Sequence, residues 1–199
     1  MSNPQTTPPA PAANGFELVD PGEPAASGIE SAIARNRAFA AAGGHQGAVV
    51  FPHLRLFVIT CLDPRTDPAH FLGLELSDAM VVRNVGGRVT PEVINDIGFI
   101  AQITERVLPD GPLFEVAVIH HTQCGSGALA DDGFRHAYAE RIGVDESGLR
   151  DHAVLDPAAT VTRDVERLRS APAIPGRVAV SGHVYDVTTG LMETILPAR

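Results

Sequence analysis

The sequence contains no lysine, because all 15 of its basic residues are arginine. Enzymes that form a Schiff base, hold pyridoxal phosphate or bind phosphate through a P-loop use a lysine, and its absence excludes them. Apolar runs long enough to span a bilayer are also missing, and residues 1–28 lack the basic start and apolar block of a signal peptide. The sequence therefore predicts a cytoplasmic protein.

An excess of positive charge is also missing. The 24 acidic residues outnumber the 15 basic ones, which gives a formal charge of −9. That balance disfavours nucleic acid or an anionic membrane as the principal partner. Only two cysteines are present. In a reducing compartment, a metal-binding or catalytic role is expected for them rather than a disulfide.

The chain of 199 residues is long enough for one α/β domain with a tail. Residues 1–28 are rich in proline and alanine, a composition that predicts a disordered or extended arm. Residues 29–42 contain neither proline nor glycine and predict an amphipathic helix that Gly43 and Gly44 end. Residues 29–199 are therefore predicted to form the folded domain.

Short apolar runs alternate with helical patterns from residue 54 onward. The runs at 54–60, 79–83 and 113–119 predict buried parallel strands. Further patterns predict helices at 67–74, 90–107 (with Thr90 as N-cap), 133–142 and 158–170, and a closing hairpin between 178–187 and 191–196. This order predicts an α/β fold with a mostly parallel sheet, flanking helices and a closing antiparallel hairpin.

Three residues with side chains that bind metals follow two of the predicted strands. Cys61 comes after the first strand, and His121 and Cys124 come after the third. Because ligands bind at the carboxyl ends of parallel strands, these side chains are expected to meet there. Two thiolates and one imidazole suit zinc, and three protein ligands leave the fourth position open, as in catalytic zinc sites.

Asp63 and Arg65 lie close to Cys61 in the segment Cys-Leu-Asp-Pro-Arg. A carboxylate two residues from a metal ligand can accept a hydrogen bond from water on the metal. A guanidinium two residues further can keep that carboxylate ionised and oriented. We therefore interpret Asp63 and Arg65 as a catalytic pair.

Three motifs in this order resemble the β-class carbonic anhydrases. They are Cys-x-Asp-x-Arg at 61–65, Arg-Asn-x-Gly-Gly at 83–87 and His-Thr-x-Cys-Gly at 121–125. The segment Gly-His-Val-Tyr-Asp-Val-Thr-Thr-Gly at 182–190 is similar to the closing strand of that family. The resemblance is specific over residues 54–135.

The resemblance implies a carbonate dehydratase, a lyase in which Cys61, His121 and Cys124 bind Zn²⁺. Hydroxide generated at the zinc would hydrate CO₂ reversibly to bicarbonate and a proton. Asp63 and Arg65 would orient that hydroxide, and Asp63 would become a metal ligand only in a closed state. The family also implies a homodimer or dimer of dimers, with the helix at 29–42 packed on the partner.

Two features depart from the family. Pro64 stands where serine or alanine is common, which removes a backbone donor near Asp63. Tryptophan is absent, so the bicarbonate-regulated site that some members build with it cannot form in that way.

Three other functions remain open from the sequence. One is hydrolysis of carbonyl sulfide or carbon disulfide at the same zinc site. Another is a zinc-binding homologue without catalysis, against which the intact pair of Asp63 and Arg65 argues. The third is a dithiol redox protein, which lacks the Cys-x-x-Cys spacing and leaves His121 unexplained.

His120 precedes the candidate ligand His121. Successive strand residues point to opposite faces, so only one of the two should face the metal. The remaining histidines are more simply explained by surface or packing roles, and Gly86, Gly87 and Gly125 by close backbone approach.

Overall fold

Five strands form one sheet in the computed structural model, which describes residues 14–16, 22 and 28–199. The strands are β1 (Leu56–Cys61), β2 (Ala79–Asn84), β3 (Glu115–His121), β4 (Ala179–Tyr185) and β5 (Met192–Leu196). Their order is β2-β1-β3-β4-β5. The first four strands pair in parallel and β5 pairs antiparallel with β4. The predicted fold class is confirmed.

The described residues form five α-helices, one before β1 and four between strands: α1 (Gly28–Ala41), α2 (Pro68–Phe71), α3 (Pro91–Val107), α4 (Asp132–Ile142) and α5 (Pro157–Ser170). Thr90 caps α3, because its side chain accepts a hydrogen bond from the N–H of Val93, as predicted. The helix predicted at 67–74 is wrong in length, since α2 contains only four residues. Gly73 follows it with a φ of 64°, a conformation in which a helix cannot continue.

The two faces of the sheet differ in what covers them. Val116 and Val118 of β3 belong to the main core, together with residues of α3 and α5. Ala117 and Ile119 point to the other face, where Phe71 and Leu72 of the α2 region pack. Both faces of the central strands are therefore buried, which explains why their sequences are apolar runs rather than alternating patterns.

A buried ion pair joins α5 to the segment after β2. The Asp164 carboxylate accepts hydrogen bonds from Arg88 Nε at 2.7 Å and Nη2 at 3.0 Å, and from the N–H of Val89 at 3.2 Å. The Nε2 atom of His120 lies 3.3 Å from the same carboxylate. Burial alone would raise the pKa of Asp164, but hydrogen bonds from His120 and Arg88 hold this pKa well below its ordinary value.

Helix α1 contains no buried residue, and its apolar side chains Ile29, Ile33 and Phe39 are exposed. The predicted arm at 1–28 lies mostly outside the described residues. Within the described part of the chain, no helix is both long and apolar enough to cross a membrane.

Candidate metal centre

Cys61, His121 and Cys124 come together at the carboxyl edge of the sheet. Cys61 is the last residue of β1 and His121 the last of β3, so both belong to the strands that they were predicted to follow. Cys124 lies three residues beyond His121. All three are buried, and one ligand atom from each lies within 4.8 Å of the others. Adjacent parallel strands β1 and β3 thus bring the predicted residues into one cluster.

The geometry of the cluster fits a tetrahedral metal ion. The two Sγ atoms are 3.8 Å apart, and two sulfurs on a tetrahedral zinc ion, each bound at about 2.3 Å, would be about 3.8 Å apart. The Nδ1 atom of His121 is 2.9 Å from the backbone oxygen of Thr122. Its Nε2 atom is buried and has no hydrogen-bond partner among the described residues. These three residues could therefore hold a metal ion, with Nε2 as the histidine donor.

The two thiols are joined by an S–H···S hydrogen bond, with their Sγ atoms 3.8 Å apart. A hydrogen bond from the Cys124 thiol lowers the pKa of Cys61, and His121 and the backbone at Asp63 act in the same direction. The same hydrogen bond raises the pKa of Cys124, as does burial. A divalent cation would displace this proton and neutralise both thiolates, which couples metal binding to pH.

Asp63 and Arg65 form a two-pronged ion pair beside the cluster. Arg65 donates from Nε to Asp63 Oδ1 at 3.0 Å and from Nη2 to Oδ2 at 2.6 Å. The Oδ2 atom lies 4.0 Å from the Nε2 atom of His121. Burial opposes ionisation, yet hydrogen bonds from Arg65 hold the pKa of Asp63 below its ordinary value. The carboxylate is therefore charged at neutral pH.

Pro64 fits the local backbone. It begins a short 3₁₀ helix, Pro64–Thr66, whose N-cap Asp63 accepts a hydrogen bond from the N–H of Arg65. The first helical position needs no N–H donor, so proline is tolerated there. The departure from the family at this position leaves the ion pair between Asp63 and Arg65 intact.

Sequence reasoning missed Gln123. Its backbone oxygen accepts a hydrogen bond from Arg65 Nη2 at 3.0 Å, and its side chain donates to Thr188 Oγ1 at 3.2 Å. Arg65 Nη2 thus donates to both Gln123 and Asp63, and Thr188 holds the Gln123 side chain. Gln123 has a φ of 55°, which is unusual for a residue other than glycine. The sequence carries no signal for this conformation.

The Arg-Asn-x-Gly-Gly motif supports the backbone around Cys61. Arg83 donates from Nε to the oxygen of Cys61 at 2.9 Å and from Nη2 to the oxygen of Asp63 at 2.7 Å. Asn84 makes two hydrogen bonds to the backbone of Arg88, at 2.7 and 2.8 Å. The motif therefore fixes both sides of the turn that contains Gly86 and Gly87.

Gly87 is required where the turn touches β1. Its φ is 64°, and a Cβ atom there would lie 2.9 Å from the backbone nitrogen of Cys61. We expect Gly87→Ala to lower the free energy of unfolding by at least about 3 kcal/mol, since backbone strain and a backbone clash add. Urea denaturation measures this loss.

Gly111→Ala is the matched control. Gly111 also has a positive φ, 78°, but no atom lies within 4 Å of a Cβ at this position. Strain alone should cost about 1 kcal/mol. Equal losses in the two variants would show that close approach to Cys61 is unimportant.

The structure places His120 on the face opposite His121, as expected from strand geometry. Its Nε2 atom is 3.2 Å from the backbone oxygen of Gly87. His120 thus contacts the glycine turn and Asp164 rather than the cluster.

The sheet and the buried cluster define an α/β protein with a candidate metal site at the ends of its central strands. Residues 56–192, more than half of the chain, match the family described as carbonic anhydrase, and the chain belongs to that family. Relatives that carry the name β-carbonic anhydrase confirm the resemblance found in the three motifs and show that the family is one of enzymes. A solved β-carbonic anhydrase of Trichomonas vaginalis, 19% identical with a TM-score of 0.64, has the same fold.

Three relatives illustrate the match. The β-carbonic anhydrase 1 of Mycobacterium tuberculosis is 29% identical over 161 residues, covering 78% of this chain and 91% of the relative. A carbon disulfide hydrolase of Acidithiobacillus thiooxidans is 30% identical over 160 residues, covering 68% of this chain and 74% of the relative. The crystal structure of a carbonic anhydrase from Streptococcus mutans is 32% identical with a TM-score of 0.67, covering 86% of this chain and 99% of that one.

Proposed function

We propose that this protein catalyses the reversible hydration of CO₂ to bicarbonate with zinc held by Cys61, His121 and Cys124. The observation that carries the proposal is the buried cluster with an ionised carboxylate, Asp63, 4.0 Å from the free nitrogen of His121. Two sulfur ligands and one imidazole favour zinc over the harder divalent cations. Zinc in such a site supplies the positive charge that makes water a nucleophile near neutral pH.

Asp63 has the role of a hydrogen-bond acceptor for the attacking water. Its two oxygens are both engaged by Arg65, which fixes the plane of the carboxylate. Gln123 in turn holds Arg65. This arrangement keeps Asp63 turned toward Arg65, and breaking it would free the carboxylate to become a fourth ligand.

Stopped-flow measurement of CO₂ hydration between about pH 6.5 and 9, with zinc determined on the same sample, tests the proposal. Rapid turnover that rises with pH in protein with one zinc per chain supports it. Zinc at full occupancy without turnover would contradict it.

Asp63→Asn separates catalysis from metal binding. The amide keeps the size of the side chain but loses the charge that Arg65 and the attacking water both require. We expect kcat/KM for CO₂ to fall by at least about 100-fold while the zinc content stays unchanged. Asp110→Asn, at an exposed position, is the control and should retain full activity. Full turnover by Asp63→Asn would show that catalysis does not need Asp63 as the hydrogen-bond acceptor for the attacking water.

Hydrolysis of carbon disulfide is the second candidate function, because a carbon disulfide hydrolase is 30% identical to this chain. CO₂, carbonyl sulfide and carbon disulfide are linear triatomic molecules that differ in size and polarity. Rates on all three substrates, measured with one preparation, decide between the two functions. A kcat/KM for carbon disulfide above that for CO₂ would favour the hydrolase.

We also propose a cytoplasmic homodimer, or a dimer of dimers, in which α1 packs on the partner. The exposed apolar side chains of α1 support this assembly, because a helix with no buried residue gains little stability from its own chain. Two free thiols suit a reducing compartment. Sedimentation velocity measures the assembly, and a monomer at micromolar concentration would contradict it.

A further inference from the structure

Residues Asn14–Phe16 contact the loop that carries Cys124. The Asn14 side chain donates from Nδ2 to the backbone oxygen of Cys124 at 2.7 Å and to that of Val154 at 3.1 Å. Its Oδ1 atom accepts a hydrogen bond from the N–H of Phe16 at 3.1 Å. Both ends of one amide side chain are thus used, and its Nδ2 end reaches residues more than 100 positions away in the sequence.

The loop after Cys124 has a shape that accepts this segment. A Cβ atom on Gly127 would lie 2.4 Å from Nδ2 of Asn14, and one on Gly125 would lie 3.3 Å from the Phe16 ring. Neither glycine has a positive φ, so backbone conformation does not require glycine at these positions. The space that Asn14 and Phe16 occupy does require it.

Val154, whose backbone oxygen accepts a hydrogen bond from Asn14, is also linked to the Cys124 thiol through Ser126. Its N–H donates to Ser126 Oγ at 3.2 Å, and this oxygen is 3.2 Å from the Sγ atom of Cys124. Val154 is buried in one apolar cluster with both cysteines. Asn14 therefore links the two backbone segments that enclose Cys124.

We infer that Asn14–Phe16 acts as a clamp that closes the Cys124 loop over its thiol, with Asn14 as a positioning residue for this ligand. The inference rests on the proposed metal centre and adds a residue that none of its motifs contains. The clamp depends on the two N–H donors of the Asn14 amide. An aspartate has the same shape but no donor, and it would place a negative charge against two carbonyl oxygens.

Alkylation of the two cysteines in zinc-free protein tests the clamp. Iodoacetamide is added to the natural sequence and to Asn14→Asp, and mass spectrometry follows modification of each cysteine separately. Loss of two hydrogen bonds predicts that Cys124 reacts at least about tenfold faster in the variant. Cys61 lies at the end of β1, outside the loop, and should not react faster. The alkylation rates involve neither metal nor turnover. A negative result for the clamp can therefore be distinguished from a negative result for the proposed function.

Asn36→Asp is the matched control, because Asn36 is exposed on α1 and its replacement should leave both alkylation rates unchanged. An unchanged rate at Cys124 in Asn14→Asp, or equal acceleration at both cysteines, would overturn the clamp. If Asn14→Asp does not fold, Phe16→Ala removes the ring from Gly125 while leaving the Asn14 amide in place. The same selective increase at Cys124 is expected there, and its absence would count equally against the clamp.

Discussion

Cys124→Ser is expected to bind zinc more than about 100-fold more weakly than the natural sequence and to lose CO₂ hydration. Groups that only orient a metal ligand change affinity by about 10- to 100-fold, and loss of the ligand itself should cost more. Serine does not ionise near neutral pH, so it cannot replace the thiolate. Competition with a coloured chelator measures the affinity, and metal analysis after dialysis measures retention.

Ala128→Ser is the control for Cys124→Ser, since it adds a hydroxyl group to the same 3₁₀ segment, Gly125–Ala130. We expect it to retain one zinc ion per chain. One zinc ion per chain in Cys124→Ser would instead remove Cys124 from the ligand set.

Asp164→Ala is expected to lower the free energy of unfolding by about 3 to 5 kcal/mol. The side chain of Asp164 is fully buried and that of Arg88 is only 4% exposed. Removing the carboxylate leaves the buried Arg88 guanidinium without a negatively charged partner and takes an acceptor away from the N–H of Val89. The midpoint of urea denaturation, measured on zinc-free protein, gives the difference in unfolding free energy.

The pH dependence of that difference provides a second check. The pKa of Asp164 is below its ordinary value in the folded protein. The contribution of Asp164 to the free energy of unfolding is therefore fully present above the pKa of this carboxyl in the unfolded chain, about 3.9. It is lost as the pH falls through the pKa in the folded protein. The gap between the natural sequence and Asp164→Ala should stay constant from about pH 8 to 5 and shrink below about pH 4.

Asp96→Ala is the matched control for Asp164→Ala, because Asp96 is also helical but exposed. It should change the unfolding free energy by less than about 0.5 kcal/mol. A loss this small in Asp164→Ala would show that Arg88 finds another partner.

Sequence patterns were sufficient for the sheet and for the grouping of the site residues. Apolar runs mark the parallel strands because both faces are buried, and strands that end together bring Cys61 and His121 to one edge. Strand ends were less predictable. Cys61 and His121 continue the hydrogen-bonded ladder, which depends on neighbours that the local sequence does not reveal.

Contacts between distant residues were not predictable. The bonds of Asp164 to Arg88 and of Asn14 to Cys124 join positions that are 76 and 110 residues apart. Side chains of these types are usually solvated, so nothing in the local pattern identifies them as buried or paired. The backbone conformation of Gln123 belongs to the same class, since a positive φ in a residue other than glycine reflects tertiary contacts.

The exposure of α1 has a consequence for how the chain unfolds. A helix of 14 residues with no buried side chain has an opening free energy near zero in a single chain. Its amide hydrogens would then exchange with solvent long before those of β1 and β3. A second copy of the chain that covers Ile29, Ile33 and Phe39 would stabilise α1 as a bound ligand does. The helical content of the protein should therefore rise with the concentration of the protein itself.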